Sequence, residues 1–373
     1  MRVLLVVTGL ALGGAERQVV LLSKELVRLR HEVSIYSLRN FTLRLDELAG
    51  TGVQVIVDRK RKRFDLGVLR RLRRHIQSWC PDIVHGFLPD GNIYSRLAGW
   101  GAAAPVLNAE RNDNYAVPLA LRAKYHLTSM LCDGVVANSH AGAEFARRLH
   151  RIGKDRTHVV WNGIDLEEID VRLANPPRPA HDIFPAPGLK RLCMVATMKP
   201  QKDHALALRV LRRLVDDDPA WRLICVGDEV GIPGYKEQLL AEVERLQLEP
   251  FVKFVGYRRD VPEIVASSDL LLMTSLHEGF PNAVLEAMAC GTAVVSTCYS
   301  DIRLILPFPE QVVSSRDERE LADAVVRCYG RRAELASAQR RWVEQHATAS
   351  ASAAALLAVY ARYVVPLAVA PAA

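Results

Sequence analysis

The chain has 373 residues, about twice the length of a usual single domain, so we expect two domains rather than one small module. Half of the residues are apolar and 24% are charged, a composition that excludes an intrinsically disordered chain. The net charge of +7 comes from the front half: residues 1–180 hold 27 Lys and Arg against 18 Asp and Glu, and residues 181–373 hold 22 against 24. A basic front half attracts phosphate-bearing partners, and charge alone does not choose among nucleotides, anionic lipids and nucleic acid.

The seven cysteines are odd in number and form no C-x-x-C pair, which predicts reduced thiols and a cytoplasmic protein. We expect the start of the chain to be a first strand and not a signal peptide, because an amphipathic helical pattern follows it. The apolar C-terminus from Ala353 is interrupted by Arg362 and Pro366, so we expect no membrane-spanning segment.

Short apolar runs alternate with helical patterns along the first half of the chain. Strands that are buried on both faces and alternate with helices predict an α/β protein with a doubly wound parallel sheet. We therefore assign residues 1–171 to an N-terminal Rossmann-like domain. The runs are Val3–Val7, Val33–Tyr36, Val53–Val57, Ile83–His85, Val106–Asn108, Gly134–Ala137 and His158–Trp161.

A proline-rich stretch, residues 172–189, interrupts this alternation and predicts a linker. The alternation then resumes and predicts a second Rossmann-like domain over residues 190–345. A C-terminal helical segment, residues 346–373, is expected to pack back on the N-terminal domain. Open sheets bind ligands at the carboxyl ends of their strands, so two facing domains predict one cleft. The later runs are Leu192–Ala196, Arg222–Val226, Val252–Val255, Leu270–Thr274 and Ala293–Ser296.

A glycine-rich loop follows the first strand and leads into a helix. Gly13 and Gly14 at the start of that helix would let backbone N–H groups approach an anion, and the helix dipole favours negative charge there. The loop is not G-x-G-x-x-G and no acidic residue closes the second strand, so the fingerprint of a dinucleotide site is missing. The pattern favours a phosphate-approach loop, with a tight turn that holds no ligand as the alternative.

The most specific stretch, residues 275–291, follows the apolar strand Leu270–Thr274. Asn282 is a good N-cap and Gly291 a good C-terminal stop, so a helix is predicted over about 283–290.

Two glutamates flank the start of this predicted helix. Glu278 lies in the loop at the end of the strand, and Glu286 lies one turn into the helix. Carboxylates accept hydrogen bonds from sugar hydroxyls, and amide N–H groups donate to anions. The pattern therefore suits a polyhydroxyl ligand that carries a phosphate.

Glu278 and Glu286 form an E-x7-E motif within E-G-F-P-N-A-V-L-E-A-M-A, a segment that resembles the retaining glycosyltransferases of family 4. The resemblance spans most of the chain and implies the GT-B fold, in which two Rossmann-like doubly wound domains face each other across a cleft. It also implies that the domain 1–171 binds the acceptor and the domain 190–345 binds the nucleotide sugar. Further landmarks occur in the right order: G-G-A-E at Gly13–Glu16, P-D-I-V-H at Pro81–His85, A-N-S at Ala137–Ser139, W-N-G-I-D at Trp161–Asp165 and P-Q-K-D-H at Pro200–His204.

The resemblance implies a role for each matching residue. Glu286 would hydrogen-bond the nucleotide ribose, Glu278 would lie beside the donor sugar, and Lys202 would contact the diphosphate. A lysine and helix N-termini supply the positive charge that a departing nucleoside diphosphate needs, so we expect no metal and no other cofactor. The backbone of residues 280–282 would hold the sugar hydroxyls, and the glycine-rich loop would close over the diphosphate. The donor-binding residues implied in this way are Gly13, Gly14, Lys202, Glu278, Phe280, Pro281, Asn282 and Glu286.

The chain departs from the family pattern beside that lysine. Family members commonly have an arginine in V-G-R-L-x-P-x-K, and this chain has Thr197 at that position. Lys199 from the same loop or Arg258 from a later turn would supply the missing phosphate contact, and the sequence does not decide between them.

A second departure follows the strand Val106–Asn108, where relatives often carry a histidine near the reacting sugar. Arg111 is expected to take that place and to contribute charge rather than proton transfer. Glu110 and Asp113 of the same loop either activate the acceptor or only solvate the loop. His85, at the end of another strand, either contacts the reacting sugars or is a hydrogen-bonded structural histidine. The candidate catalytic residues are Glu278, Lys202, Arg111 and His85.

Nine basic residues lie within residues 59–74, interleaved with apolar ones. One interpretation is a solvated basic helix. The other is a patch that binds an anionic membrane surface, at about 1 kcal/mol per basic residue. No array of base-stacking aromatic residues accompanies the charge, so nucleic acid is not an expected partner. The basic residues are Arg59, Lys60, Arg61, Lys62, Arg63, Arg70, Arg71, Arg73 and Arg74.

A D-x-D triplet at Asp216–Asp218 has the form of the metal site of a different glycosyltransferase fold, but its place between a helix and Pro219 predicts a solvated turn. The sequence therefore predicts a metal-independent, retaining glycosyltransferase of the hexosyl or N-acetylhexosaminyl type. It would move a sugar from a nucleotide diphosphate, by our interpretation a UDP-sugar, to a hydroxyl of a glycan or polyprenyl-linked acceptor in bacterial envelope polysaccharide or glycolipid synthesis. We expect it in the cytoplasm, at the inner face of the cell membrane if segment 59–74 binds lipid. The alternatives are a nonhydrolysing sugar-nucleotide epimerase and a non-catalytic scaffold that binds a sugar nucleotide or lipid.

Overall fold

The computed structural model describes residues 1–11, 13–112, 117–174 and 179–364. It divides into two compact units, the first made of Met1–Gly163 and Ala349–Ala373 and the second of Ile164–Thr348. The predicted linker residues 175–178, the loop residue Asp113 and the C-terminal residues 365–373 lie outside the described residues.

The first unit contains a seven-stranded parallel sheet. The strands follow the spatial order β3-β2-β1-β4-β5-β6-β7, which reverses direction between β1 and β4. Sheets of this kind bind ligands beyond the carboxyl ends of the strands at such a reversal. The elements are β1 (Arg2–Val7), α1 (Gly14–Arg28), β2 (Glu32–Ser37), β3 (Gln54–Val57), α2 (Leu66–Trp79), β4 (Ile83–Phe87), α3 (Leu88–Gly99), β5 (Val106–Glu110), α4 (Leu119–Thr128), β6 (Gly134–Ala137), α5 (His140–His150) and β7 (Thr157–Val159).

Strand β1 shows why helices cover both faces of this sheet. Its side chains alternate between the faces, so Val3 and Leu5 pack against α1, whereas Leu4 and Val6 pack against α2 and α3. All of them are fully buried, as expected for a central strand of a doubly wound sheet.

The second unit contains a six-stranded parallel sheet in the order β10-β9-β8-β11-β12-β13. Here the order reverses between β8 and β11, so the carboxyl ends of these two strands form the corresponding crevice. The elements are α6 (Leu166–Leu173), α7 (Pro179–Ile183), β8 (Lys190–Val195), α8 (His204–Asp217), β9 (Trp221–Val226), α9 (Tyr235–Arg245), β10 (Val252–Phe254), α10 (Val261–Ala266), β11 (Leu270–Met273), α11 (Asn282–Ala289), β12 (Ala293–Thr297), α12 (Ile302–Ile305), β13 (Val312–Val313), α13 (Glu318–Gly330) and α14 (Arg332–His346).

The described part of the predicted linker, residues 172–189, packs within the second unit. Arg172 forms an ion pair with Glu263 of α10 at 2.7 Å, and the backbone N–H of Ala180 in α7 donates to Ser267 at 3.1 Å. The change from one unit to the other lies at Gly163, before the predicted boundary at residue 171. The prolines were interpreted as a sign of a linker, but Pro179 begins the helix α7. Proline is favoured in the first turn of a helix, so it does not by itself mark a linker.

The last helix, α15 (Ala349–Tyr360), belongs to the first unit. Leu356 and Tyr360 are buried in the same apolar cluster as Val19 and Leu22 of α1. The chain therefore returns to the first sheet after it has completed the second. Among the residues that the structure describes, none of the helices has the length and apolarity needed to cross a bilayer.

Candidate functional site

The loop that follows β11 places Glu278 beside Lys202. The Oε1 atom of Glu278 accepts a hydrogen bond from Ser275 Oγ at 2.8 Å and forms an ion pair with Lys202 Nζ. Lys202 ends the short 3₁₀ turn Pro200–Lys202, which follows β8. Two residues predicted to bind one ligand, 76 positions apart in the sequence, therefore meet where the strand order of the second sheet reverses.

This ion pair is only partly shielded from solvent. Glu278 is 8% exposed, and the side chain of Lys202 is 19% exposed. An ammonium group has three N–H donors and a carboxylate has two oxygens, so each partner retains capacity for further hydrogen bonds. The arrangement leaves both charges able to contact a ligand.

Two polar side chains hold the ends of β8 and β11 together. Thr274 Oγ1 lies 3.0 Å from the carbonyl oxygen of Lys202 and 2.8 Å from that of Asp203. Arg316 donates to the carbonyl oxygens of Thr274 at 2.9 Å and Ser275 at 3.2 Å, and it pairs with the Asp203 carboxylate. The sequence analysis missed Arg316, because its partners are mainly backbone carbonyls that no motif marks.

The predicted helix at 283–290 is observed one residue earlier, as α11. Pro281 occupies the N-cap position in place of Asn282, and the backbone N–H of Asn282 donates to Phe280 at 3.0 Å. Phe280 and Pro281 are buried, and Glu286 lies half-buried on α11. The two glutamates therefore flank a closely packed loop and the first turn of a helix, as the pattern predicted.

The loop after β12 packs against the same segment. Ser300 has a φ of +42°, and its hydroxyl donates to the carbonyl oxygen of Gly279 at 2.8 Å. A left-handed conformation is costly for a residue other than glycine, so the surrounding packing must enforce it. This hydrogen bond fixes the backbone directly after Glu278.

The two candidates for replacing the arginine absent at Thr197 differ in availability. The guanidinium of Arg258 is paired with Asp260 through two hydrogen bonds of 2.8 and 2.6 Å. Lys199 is half-buried, and within the described parts of the chain no side-chain hydrogen bond or ion pair engages its ammonium. Lys199 is therefore the more available cation on the loop that carries Lys202.

His204, at the first position of α8, is buried at 1% exposure. Burial lowers the pKa of this histidine to about 4, and the positive charge of Lys202 adds to the effect. The imidazole is therefore neutral at neutral pH and does not add a cation beside Lys202.

The glycine-rich loop of the first unit leads into α1 through Gly13, the N-cap residue, and Gly14, and both glycines are exposed. A Cβ atom on Gly13 would lie 2.3 Å from Glu16 Oε2, so the carboxylate of Glu16 lies beside the first turn of the helix. Burial raises the pKa of Glu16. The role of Gly13 and Gly14 as a phosphate-approach loop stays a prediction, and an anion bound there would lie close to this carboxyl group.

His85 of β4 is completely buried. Its Nδ1 atom forms a 2.7 Å hydrogen bond with the hydroxyl of Tyr360 in α15, and its ring centroid lies 4.4 Å from that of Phe87. Burial, with the nearby charge of Arg111, holds the pKa of His85 well below its usual value. This packing matches the structural histidine and not a group that contacts a sugar.

Arg111 follows β5 directly. Its guanidinium donates to Asn162 Oδ1 at 2.9 Å and lies 4.9 Å from the ring centroid of Phe87. Burial lowers the pKa of Arg111 to about 10, so the group stays charged at neutral pH. Glu110 accepts the backbone N–H groups of Arg111 at 3.0 Å and Asn112 at 3.2 Å, so it fixes the start of this loop.

The basic segment 59–74 is not one continuous surface. The side chain of Lys60 is only 1% exposed and pairs with Asp90 at 2.5 Å, and Arg71 forms two hydrogen bonds of 3.0 and 2.7 Å to Asp58. The prediction of nine basic residues on one patch is wrong for Lys60, because its ion pair with the partly exposed Asp90 holds its side chain within the fold. The exposed residues besides Arg71 are Arg59, Arg61, Lys62, Arg63, Arg70, Arg73 and Arg74.

The acidic triplet at residues 216–218 is engaged by basic partners. Asp218 pairs with Lys190 at 2.6 Å, and Asp216 pairs with Arg212 at 2.9 Å. Within the described ranges no group of three or more His, Cys, Asp or Glu side chains could hold a metal ion. All seven cysteines are free thiols.

Comparison with known proteins identifies relatives of this chain. Residues 12–168 match the family model described as Glycosyltransferase Family 4, and residues 189–331 match the one described as Glycosyl transferases group 1. A Campylobacter jejuni N-acetylgalactosamine-N,N'-diacetylbacillosaminyl-diphospho-undecaprenol 4-alpha-N-acetylgalactosaminyltransferase is 30% identical over 44% of this chain and 41% of its own length. The putative glycosyltransferase EpsF of Bacillus subtilis is 25% identical over 78% of this chain and 77% of its own length.

Among solved structures, Anabaena HepE in complex with UDP is similar in fold, with a TM-score of 0.82. The match has 19% sequence identity and covers 97% of this chain and 100% of HepE. The predicted architecture of two Rossmann-like α/β domains, known as GT-B, is confirmed by the two parallel sheets and by this likeness. The chain therefore belongs to the glycosyltransferases of the family 4 and group 1 type.

Proposed function

We propose that this enzyme transfers a sugar from a UDP-sugar to a hydroxyl of a glycan or lipid-linked acceptor, with retention of the anomeric configuration. The observation that carries the proposal is the ion pair of Lys202 and Glu278 at the carboxyl ends of β8 and β11. The relatives add support, since HepE has been crystallised with UDP and the Campylobacter enzyme is named for a diphospho-undecaprenol acceptor.

In this proposal the second unit binds the donor. Lys202 donates to the diphosphate, Lys199 adds positive charge from the same loop, and the free oxygen of Glu278 accepts a hydrogen bond from a sugar hydroxyl. Glu286 on α11 accepts from the ribose. Because Glu278 and Lys202 are already held against each other, they need little reorganisation when the donor binds.

The reaction transfers a glycosyl group and needs no oxidant or reductant. The bond between the anomeric carbon and the diphosphate oxygen breaks, and a bond to the acceptor oxygen forms on the same face of the sugar. The acceptor proton passes to an oxygen of the departing diphosphate. Lys202 stabilises the negative charge that develops on this leaving group, so the proposal requires no metal.

The setting that the relatives suggest is envelope polysaccharide or glycolipid synthesis, with a hexosyl or N-acetylhexosaminyl donor.

An epimerase would convert the donor without an acceptor, and a scaffold would bind UDP without making a product. The chemistry of the product therefore separates the three functions.

The first experiment measures UDP binding by calorimetry with the wild-type chain, K202A and K253A. Lys253 is an exposed lysine of β10, so K253A removes the same charge from the same unit. We expect K202A to bind UDP at least about tenfold more weakly, because a charged hydrogen bond is lost, and K253A to bind as the wild type does. If both variants weakened UDP binding equally, or if the wild type did not bind UDP, the assignment of the donor site would be wrong.

The second experiment incubates the wild-type chain with UDP-sugars and a polyprenyl-diphosphate glycan, with and without EDTA. We expect a new glycoside and free UDP in equal amounts, at a rate that EDTA does not change. An epimerised nucleotide sugar formed without acceptor would support the epimerase. Binding of UDP with no product from any donor would support the scaffold.

A further inference from the structure

Helix α4 carries an apolar stripe on its outer surface. Leu119 is 83% exposed, Leu127 is 81% exposed, and Met130, in the turn that continues the helix, is 89% exposed. Ala123 lies between them and is also exposed, so the spacing follows one face of a helix. Amphipathic helices usually bury their apolar face, and this helix presents one to solvent.

The opposite face of α4 is held firmly by the first unit. Tyr125 is buried with Ile93 of α3 and Leu149 of α5. The buried guanidinium of Arg96 contacts the Tyr125 carbonyl oxygen at 3.3 Å and Thr128 Oγ1 at 3.1 Å. The outward orientation of the stripe therefore follows from specific buried contacts on the inner face.

The charged residues of this segment have one sign. Arg122 and Lys124 lie on α4, and no acidic residue occurs from Val117 to Cys132. On a helical wheel Arg122 and Lys124 fall on opposite sides of the stripe. An apolar strip flanked by basic residues is the pattern that places a helix in the interface of an anionic bilayer.

An exposed tryptophan follows α3, the helix whose Arg96 contacts α4. Trp100 is 66% exposed and follows α3 one turn after Arg96, the residue that contacts the end of α4. Arg73 of α2 reaches the next residue, Gly101, since a Cβ there would lie 3.9 Å from its guanidinium. Tryptophan favours the boundary between lipid and water, so Trp100 fits the same partner as α4.

We propose that the α4 stripe (Leu119, Ala123, Leu127 and Met130), with Trp100 and the flanking Arg122 and Lys124, docks on an anionic lipid surface. The inference rests on the proposed function, since a lipid-linked acceptor lies in a bilayer. It differs from the surface expected at residues 59–74, where Val68 and Leu72 are buried in the core and Phe64 and Leu66 are 41% and 57% exposed. The leucines and the methionine of the α4 stripe are more exposed than these, so we assign the main apolar contact to α4 and Trp100.

The test is flotation of the full chain with two kinds of vesicle, phosphatidylcholine alone and an equimolar mixture with phosphatidylglycerol. We expect the wild type to float with the mixed vesicles. The double variant L127E/M130E should bind at least about tenfold more weakly, because two apolar side chains no longer enter the interface. R122S/K124S should lose on the order of 30-fold on the mixed vesicles, since each basic residue near the surface contributes about fivefold.

The matched control is L240E/V326E, which makes the same kind of change at exposed apolar positions of the second unit. It should float as the wild type does. UDP affinity is measured on every preparation, and we expect it to be unchanged in all of them. Loss of UDP binding by the wild type would contradict the proposed function, while unchanged UDP binding without flotation would contradict the docking surface alone.

Two other results would overturn this proposal. If R61S/K62S/R63S abolished flotation while L127E/M130E floated normally, the loop before α2 would be the lipid-binding surface. If light scattering showed a wild-type dimer that L127E/M130E converted to a monomer, the stripe would be an interface between two copies of the chain.

Discussion

The carboxyl ends of the two sheets hold similar residue types but use them differently. In the second unit, Lys202 and Glu278 pair with each other, and both retain some exposure. In the first unit, His85 lies in the middle of β4, two residues before the end of the strand where the sequence placed it, and it is completely buried and bonded to Tyr360. A polar residue near the end of a strand is therefore available to a ligand only where no further layer of the same unit covers it.

The covering layer of the first unit comes from a distant part of the chain. Tyr360 lies 275 positions after His85, on the helix that returns from the second unit to the first. Lys202 differs, because its partner Glu278 comes from the neighbouring loop after β11 and its side chain stays 19% exposed. The comparison predicts catalytic effects for changes at Glu278 and Lys202 and stability effects for changes at buried residues such as His85 and Tyr360.

The largest effect is expected for E278Q. Glutamine keeps an oxygen for Ser275 but removes the negative charge that pairs with Lys202 and meets the sugar. We expect kcat/KM for transfer to fall about 10² to 10³-fold, the range for losing one preorganised polar contact, while the fold persists. The change in kcat/KM is measured from initial rates of transfer with saturating acceptor.

The control for that change is E249Q, at an exposed glutamate of the same unit. It removes the same charge and should leave the rate unchanged. Normal turnover by E278Q would exclude Glu278 from the reaction and would remove the main difference between the two edges.

The next effect tests a feature that the two edges share, a buried neutral histidine. Burial lowers the pKa of His204 to about 4, whereas an unfolded chain titrates its histidines near 6.5. Above the unfolded value both states are neutral, and below it the unfolded state binds more protons. The stabilisation from neutral His204 is therefore lost as the pH falls from about 6.5 to about 4, by roughly 3 kcal/mol.

Urea denaturation at about pH 7 and about pH 5 measures this dependence. The wild type should lose stability between these values, and H204Q should lose about 2 kcal/mol less than the wild type does, because glutamine does not titrate. An identical pH dependence in both proteins would mean that His204 protonates in the folded state as readily as in the unfolded one.

A smaller stability effect is expected for Y360F in the first unit. Removing the hydroxyl leaves His85 Nδ1 without its hydrogen bond, and no partner of its Nε2 atom is present among the described residues. We expect the free energy of unfolding to fall by about 1 to 3 kcal/mol, with UDP affinity unchanged. Y257F, at a 60% exposed tyrosine, is the control and should alter neither quantity. Unchanged stability combined with lost transfer would assign His85 to the substrate.

The fold was predictable because buried parallel strands leave a local signal. The run Leu270–Thr274 is observed as β11, Leu270–Met273, and Val3–Val7 as β1, Arg2–Val7. Lys202 and Glu278 were predicted to bind one ligand because their motifs occur in the expected order. Tyr360 and Arg316 could not be predicted, because each acts through a hydrogen bond to a residue far away in the sequence. The assignment of Lys60 to the basic patch was wrong for the same reason, since its partner Asp90 lies 30 positions away in the sequence.

The smallest effect concerns the cation that compensates for Thr197. Lys199 has an ammonium that no described side chain engages, whereas the guanidinium of Arg258 is held by two hydrogen bonds to Asp260. Moving Arg258 to a phosphate would first require breaking that pair. We therefore expect K199A to weaken UDP binding about tenfold and R258A by less than about threefold, both measured by calorimetry. The reverse order would show that the pair of Arg258 and Asp260 opens when the nucleotide binds. Arg258 would then bind the donor despite its intramolecular partner, as is proposed for Lys202 in its pair with Glu278. In that case the hydrogen bonds of the ligand-free chain would not decide which cation compensates for Thr197.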